Sequence, residues 1–167
     1  MSFKEINFRD VKENVVSLIN DQWGLVTAGG KDAYNTMTVS WGAIGELWAK
    51  DVSFIFIRPQ RYTLEFIEKN DYYTLSFYDE KYKDALTVCG RNSGRDIDKT
   101  KETGLTPAFD ENAPYFSEAK LVLICKKIAV QDINPNGFLD EKIMNNYADN
   151  DFHKMFIGEI TKVLINE

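Results

Sequence analysis

VSFIFIRPQRYTLEF, residues 52–66, decides how the chain is read. Val52 to Ile57 are β-formers, apolar on both faces, as in a strand at the centre of a sheet. The run ends at Arg58, and Pro59 is ordinary punctuation before a helix. From about residue 60, Leu64 and Ile67, with Tyr62 and Phe66, take up helical spacing. Arg58, Arg61 and the Thr63 hydroxyl therefore fall within six residues around a helix start. Such a start leaves backbone N–H groups unpaired and carries partial positive charge, so a phosphate suits it, and arginines add bidentate donors. The same arginines could instead be solvated or paired with Glu65 and Glu68. This stretch alone leaves both readings open.

The flanking sequence extends the β reading. Before it, WGLVTAGG (23–30) reads as a strand running into a Gly-Gly turn. NTMTVSWGAIG (35–45) alternates Met37, Val39 and Trp41 with Thr38 and Ser40, the period of one strand. At residues 10–20, Val11, Val15, Leu18 and Ile19 predict a helix capped by Asp10. After the central stretch, YYTLSFY (72–78) is the next strand, and DEKYKDALTVCG (79–90) is a helix with an acidic cap and Gly90 as its stop. A second short helix is expected to start near Ser93 and Gly94. Residues 120–133 and 153–166 read as long strands, the first with a bulge or bend, and NPNG (134–137) as a turn. Strands are not regularly followed by helices, so a doubly wound sheet does not fit. A mainly β architecture does: an antiparallel barrel, closed or partly open, with helical insertions.

The length of 167 residues and the absence of repeats predict one domain over 1–167. A net charge of -6 argues against nucleic-acid and anionic-membrane partners. Neither a signal peptide nor a membrane-spanning run is evident, and Cys89 and Cys125 read as buried thiols, so a reducing, cytoplasmic setting is expected. With one histidine, His153, and no metal-ligand spacing, no metal site is expected.

Two further stretches can carry binding. In CGRNSGRDIDK (89–99), Gly90 and Gly94 allow close backbone approach, and Arg91, Arg95 and Lys99 add positive charge. The pattern is neither a P-loop nor a dinucleotide fingerprint, and a plain helix connection remains an alternative. In NTMTVSWG (35–42), one face could offer backbone and threonine groups to a planar ligand, or be an ordinary amphipathic strand. No nucleophile elbow or Ser-His-Asp set is present. Asp96 and Asp98 are paired carboxylates on an expected exposed helix. His153 is open to three readings: proton donor, ring-edge contact or surface residue. The residues suggest a phosphorylated planar molecule held by a protein without a nucleophile of its own, the pattern of a cofactor protein.

Taken in order, NTMTVSWG, RPQRYT, YYTLSFYDEKYKDAL, CGRNSGRDIDK, ETGLTP and HKMFIGEI resemble the flavin reductase-like, FMN-binding split-barrel family, and most of all its flavoredoxin-type members. The resemblance runs through about residues 20–166. It implies a six-stranded antiparallel Greek-key split β-barrel, a homodimer, and FMN near the subunit interface. Carried onto this sequence, it implies that the strand holding Asn35, Thr36, Met37, Thr38 and Trp41 lines the flavin ring. Arg58, Arg61, Tyr62 and Thr63 would hold the phosphate and ribityl chain, Ser93, Gly94 and Lys99 would close over the cofactor, and His153 would lie near the flavin.

The implied activity is electron transfer from a reduced donor, NADH or NADPH among the candidates, through FMN to a flavin, a small acceptor or an electron-transfer protein. No separate nicotinamide-binding domain is evident, so NAD(P)H would dock directly over the ring. The alternatives are a non-catalytic FMN-binding electron carrier and pyridoxamine-phosphate-oxidase-like chemistry. RPQRYT followed by CGRNSGRD speaks against the last.

Overall fold

A computed structural model describes residues 2–110 and 113–166. Its main sheet is antiparallel throughout. The strands are β1 (Phe3–Ile6), β2 (Gly24–Gly29), β3 (Tyr34–Val39), β4 (Gly42–Leu47), β5 (Lys50–Ile57), β6 (Tyr72–Phe77), and, after a short hairpin of β7 (Pro107–Phe109) and β8 (Pro114–Phe116), β9 (Leu121–Asp132) and β10 (Lys154–Asn166). The path through the sheet is β3-β2-β6-β9-β10-β5-β4, with β1 added to the far half of β10.

The two ends of this path, β3 and β4, are consecutive in the chain and separated only by Ser40 and Trp41. So short a link cannot stretch beyond roughly 10 Å. The sheet must therefore curl until its two edges approach each other, yet no ladder joins them. The result is an antiparallel barrel split along one seam, and the mainly β, helix-interrupted class expected from the sequence is what forms. The described sheet has eight strands, two more than the expected six. NTMTVSWGAIG is two strands meeting at the seam, where one was expected, and the N-terminal Phe3–Ile6 adds an edge.

Both faces of the sheet are covered, which explains the continuous apolar runs of β5, β6 and β9. Val26, Met37, Ile55, Ile57, Leu75, Phe77, Leu121 and Leu123 fill one core. Leu25, Leu86, Cys89, Phe116, Val122 and Ile124 fill the other, beneath helix α2 (Lys83–Arg91) and the small hairpin. Alternate residues of β9 thus enter opposite cores. The expected irregularity appears in the β9–β10 ladder, which shifts register between Ile157 and Gly158 and between Ile160 and Lys162. Gly158 lies against the buried Tyr73, whose hydroxyl bonds Ser53 at 2.6 Å.

Several helix boundaries differ from expectation for local reasons. The helical turns near the N-terminus begin at Val15, and Asn14, not Asp10, caps them by accepting from the Val16 and Ser17 N–H groups. Helix α2 runs through Gly90 to Arg91, so Gly90 is not its stop; a Cβ there would already touch Thr38 at 3.2 Å. No helix starts at Ser93. That residue opens a turn, its hydroxyl accepting from the Arg95 N–H, and the next helix, α3 (Lys99–Thr103), begins where Asp98 accepts from Thr100 and Lys101. Asp98 accepts from two backbone N–H groups and adds a negative charge that suits a helix start.

Candidate functional site

RPQRYT forms the pivot of the site. Ile57 ends β5, and Arg58, Pro59, Gln60 and Arg61 make a β-turn closed by the Arg61 N–H on the Arg58 carbonyl at 3.1 Å. Helix α1 (Thr63–Lys69) follows. It has seven residues, so its dipole is small, and the positive charge at this place comes from side chains.

The turn sends its two arginines opposite ways. Arg58 goes to the long β9–β10 connection, where it pairs with Asp151 and donates to the Asn146 carbonyl at 2.8 Å. Its guanidinium lies 5.1 Å from the centre of the Tyr147 ring. Arg61 turns inward and donates from Nη1 to the Gly90 carbonyl at 2.8 Å, while Nη2 is buried with no partner. Burial lowers the Arg61 pKa from its ordinary value. The solvated or acid-paired reading thus fits Arg58, though with Asp151 as the acid, and does not fit Arg61. Glu65 pairs with Arg95, and Glu68 with Lys154.

Lys99 lies beside Arg61. It is 7% exposed, and its Nζ donates to the Thr36 carbonyl at 2.6 Å and the Cys89 carbonyl at 2.8 Å. Desolvation, with a smaller contribution from Arg61, pulls its pKa down to about 8. Burial pushes the Cys89 thiol up to about 11, so no thiolate is available as a counter-ion near neutral pH. Among the described residues, neither Arg61 nor Lys99 meets a carboxylate. Two buried cations without an acid, one with an unpaired donor, form a seat for an anion.

Three cavities are lined by residues of this seat. The smallest, about 130 Å³, lies between Asn35, Arg61, Tyr62, Thr63, Ser93, Gly94 and Lys99. Asn35 donates to the Thr63 hydroxyl at 2.7 Å, which leaves the Thr63 hydroxyl hydrogen free to donate. A Cβ on Gly94 would lie 2.0 Å from Asn35 Oδ1, so only glycine allows this wall to close. Arg91, expected to add positive charge within CGRNSGRDIDK, also lines the cavity, as does Asn92, which was not foreseen.

Arg61 also lines a second cavity, of about 210 Å³, beside the seam residues Ser40 and Trp41. Met37, Thr38, Trp41, Phe56, Arg58 and His153 line it. Trp41 and His153 stand 5.3 Å apart, and Tyr147 bonds His153 Nδ1 at 2.8 Å. Desolvation, reinforced by Arg58, lowers the His153 pKa to about 4 and keeps the ring neutral near pH 7. A pocket walled by aromatic rings and ending at two cations suits a flat ring with an anionic tail.

A third cavity, about 440 Å³, is also bordered by Asn35, Gly94 and Lys99. Asn35, Thr36, Gly94 and Lys99 in its wall were expected site residues, whereas Asp32 and Ala33 of the β2–β3 turn were not foreseen.

Two expected residues point elsewhere with their side chains. The Thr36 hydroxyl bonds Thr27 at 2.8 Å, and only its carbonyl reaches the site, through Lys99. The Thr38 hydroxyl donates to the Leu86 carbonyl, although the residue still borders the ring-sized cavity. Tyr147 and Asp151, which hold His153 and Arg58 in place, were not foreseen. They lie in the β9–β10 connection, which shows no periodic pattern.

The family model described as "Flavin reductase like domain" matches residues 16–167. No curated protein matches the chain by sequence. Among solved structures, the flavoredoxin of Desulfovibrio vulgaris (Miyazaki F) is 26% identical, with a TM-score of 0.68 over 87% of this chain and 69% of that one. An FMN-binding domain of a flavin reductases-like enzyme from Shewanella baltica OS155 is 18% identical, with a TM-score of 0.71 over 98% of this chain and 77% of that one. The flavoredoxin of Methanosarcina acetivorans is 21% identical, with a TM-score of 0.69 over 87% and 69%. The last two likenesses concern the fold alone.

Proposed function

Because the chain belongs to the family of flavin reductase-like domains, we propose that it is an FMN-binding oxidoreductase that passes electrons from a reduced donor, NADH or NADPH, to a flavin or protein acceptor. The observation that carries this reading is the buried, unpaired Nη2 of Arg61 beside Lys99, at the end of a cavity walled by Trp41 and His153.

The residues fit FMN. Arg61, Lys99 and the Thr63 hydroxyl would hold its phosphate. Asn35, Tyr62, Ser93 and Gly94 would border the ribityl chain, and Met37, Thr38, Trp41 and His153 would border the ring. FMN, when bound, would supply the redox chemistry by accepting and releasing electrons at its ring. The protein's part is to orient that ring at the seam, exclude water from its inner side and present a neutral imidazole. Arg58, already paired with Asp151, would hold the β9–β10 connection against the ring cavity and leave the phosphate to Arg61.

A homodimer is part of the proposal. Trp41 is 47% exposed at the seam and belongs both to the ring cavity and to an apolar groove lined by Val15, Val16, Ile19, Ala43 and Ile44. A second copy on that groove would wall the ring cavity. Among the described residues, no helix is long and apolar enough to cross a membrane.

The deciding experiment is the visible spectrum of the purified protein with FMN, before and after anaerobic NADH or NADPH. Bleaching of the oxidised flavin band supports a reductase. A bound flavin that neither coenzyme reduces points to an electron carrier. A protein that takes up no FMN overturns the proposal.

A further inference from the structure

The chain has one histidine, and its surroundings fix more than its charge. His153 is 7% exposed. The rings of Trp41, Phe56 and Tyr147 stand around it at centre-to-centre distances of 5.3, 6.4 and 5.5 Å. Its backbone carbonyl accepts from the Ile133 N–H at 3.0 Å, which ties it to the start of the β9–β10 connection.

The two ring nitrogens meet different surroundings. Nδ1 lies 2.8 Å from the Tyr147 hydroxyl. Nε2 makes no hydrogen bond among the described residues, yet it is not sealed in the interior, so it opens on the ring cavity that His153 lines. A neutral imidazole carries one N–H and one lone pair, so the Nδ1 contact decides what Nε2 presents.

Either partner could donate in that contact. If Nδ1–H donated, the phenol hydrogen of Tyr147 would need another acceptor. Tyr147 is 5% exposed, and among the described residues its hydroxyl bonds Nδ1 and nothing else. Asp151, whose charge acts on Tyr147, is already held by Arg58 and Gln60. That arrangement would strand a buried donor, which is costly. The reverse arrangement strands nothing. Burial also raises the Tyr147 pKa, so the phenol keeps its hydrogen. Phe138 and Phe152 pack on the tyrosine ring at 6.0 and 4.9 Å and fix where the hydroxyl points.

We propose that Tyr147 is a positioning residue that holds His153 in its Nε2–H tautomer, so that the ring cavity is offered a neutral hydrogen-bond donor suited to a carbonyl oxygen or an unprotonated ring nitrogen. This rests on the flavin reading only for the identity of that acceptor. His153 is then not a general acid, because loss of Nε2–H from the neutral ring would leave an imidazolate. The charged groups that act on the imidazole, Arg58 and Asp151, are paired with each other and leave the tautomer to Tyr147.

The test uses NMR of protein with isotopically labelled histidine ring nitrogens, which gives a single pair of signals because the chain has one histidine. Wild type and Tyr147→Phe are followed without flavin from neutral pH down through about 4, the His153 pKa, and then with FMN at neutral pH. In the wild type the proton should sit on Nε2, with Nδ1 bare. In Tyr147→Phe a population protonated at Nδ1 should appear, and the proton affinity of the ring should rise roughly tenfold, because a donor to Nδ1 favours the neutral ring alone. FMN should move the wild-type Nε2 signal more than the Nδ1 signal. A wild-type proton on Nδ1, or a variant whose proton affinity is unchanged or lower, overturns the proposal. If the variant fails to fold, the wild-type spectrum decides by itself. An Nε2 signal that does not move in the FMN-loaded protein also overturns it, since the donor would then face no ligand. A protein that takes up no FMN refutes the flavin reading instead, and the flavin-free spectra still decide for or against Tyr147.

Discussion

Arg61 and Lys99 donate to consecutive carbonyls, those of Gly90 and Cys89, each at 2.8 Å. These carbonyls belong to the last turn of α2, where helical carbonyls lack helical partners and the dipole is negative. The helix end thus holds two like charges side by side without a carboxylate. It also orients them, so that their remaining donors converge on one small cavity. An acid at this place would neutralise the pair and fill the seat. Backbone carbonyls offset the charge only partly.

Arg61→Ala should weaken FMN binding by roughly 1.5–3 kcal/mol, the worth of a hydrogen bond to a charged group. Arg58→Ala should weaken it less, since Arg58 is already paired with Asp151. Flavin fluorescence titration of both variants measures the contrast. Equal losses would mean that the phosphate lies elsewhere. Thermal melts without FMN should be run alongside, because Arg61 also satisfies a helix carbonyl.

FMN affinity should fall as pH rises through about 8, the pKa of Lys99 in the free protein. The sign follows from linkage. An anion beside Lys99 favours its charged form and raises its pKa, so binding takes up a proton above pH 8 and weakens as protons become scarce. The limiting slope is about one tenfold loss per pH unit. Lys99→Arg should keep its affinity across this window, and Lys99→Met should bind weakly at all pH values with no slope. A Lys99→Met protein with the wild-type slope would assign the titration to another group.

How much of this was legible in the sequence varies by residue. β5, the Pro59 turn and α1 were readable because apolar spacing and proline act locally. The break at Ser40–Trp41 was not, since Met37, Val39 and Trp41 keep their alternation across it, and only closure of the barrel makes it a seam. Arg58 and Arg61 looked alike in sequence, three residues apart; a β-turn separates their fates, and Asp151 lies far along the chain. Lys99 carried a weak signal because its importance depends on where α2 ends. Gly90 suggested that end one residue early, and Ser93 suggested a helix start five residues before the Asp98 cap.

Acid should destabilise the fold through His153. Its pKa in the protein is about 4 against an ordinary 6.5, so the unfolded chain binds the extra proton between these values. Stability contributed by the neutral ring is present above pH 6.5 and is lost as pH falls towards 4, by up to about 3 kcal/mol. His153→Gln should flatten the decline in melting temperature over this window. An unchanged decline would place the acid sensitivity elsewhere.

Ile44→Asp should disfavour the proposed dimer, because it puts a charge on the apolar groove beside Trp41. Sedimentation should then show a monomer, with Trp41 more accessible to a fluorescence quencher than in the wild type. A wild-type protein that sediments as a monomer at tens of micromolar would remove the dimer from the proposal.

Gly158 tests the barrel itself. A Cβ at this position would lie 2.4 Å from the Tyr73 hydroxyl and 2.8 Å from its ring. Tyr73 is fully buried, and its hydroxyl bonds Ser53 at 2.6 Å, so the ring cannot move away without breaking a buried polar contact. Gly158→Ala should therefore cost roughly 1–3 kcal/mol by overpacking. Gly158 also sits at a register shift between β9 and β10, where a displaced backbone would change how the two long strands bend. Tyr73→Phe alone should cost about 1 kcal/mol by leaving Ser53 short of a partner. Combined with Gly158→Ala, it removes the nearest colliding atom, so the double variant should be more stable than the sum of the single losses predicts. Chemical denaturation of the four proteins gives the coupling. Strict additivity would show that the bulge tolerates a side chain at 158 by shifting the strand away from Tyr73.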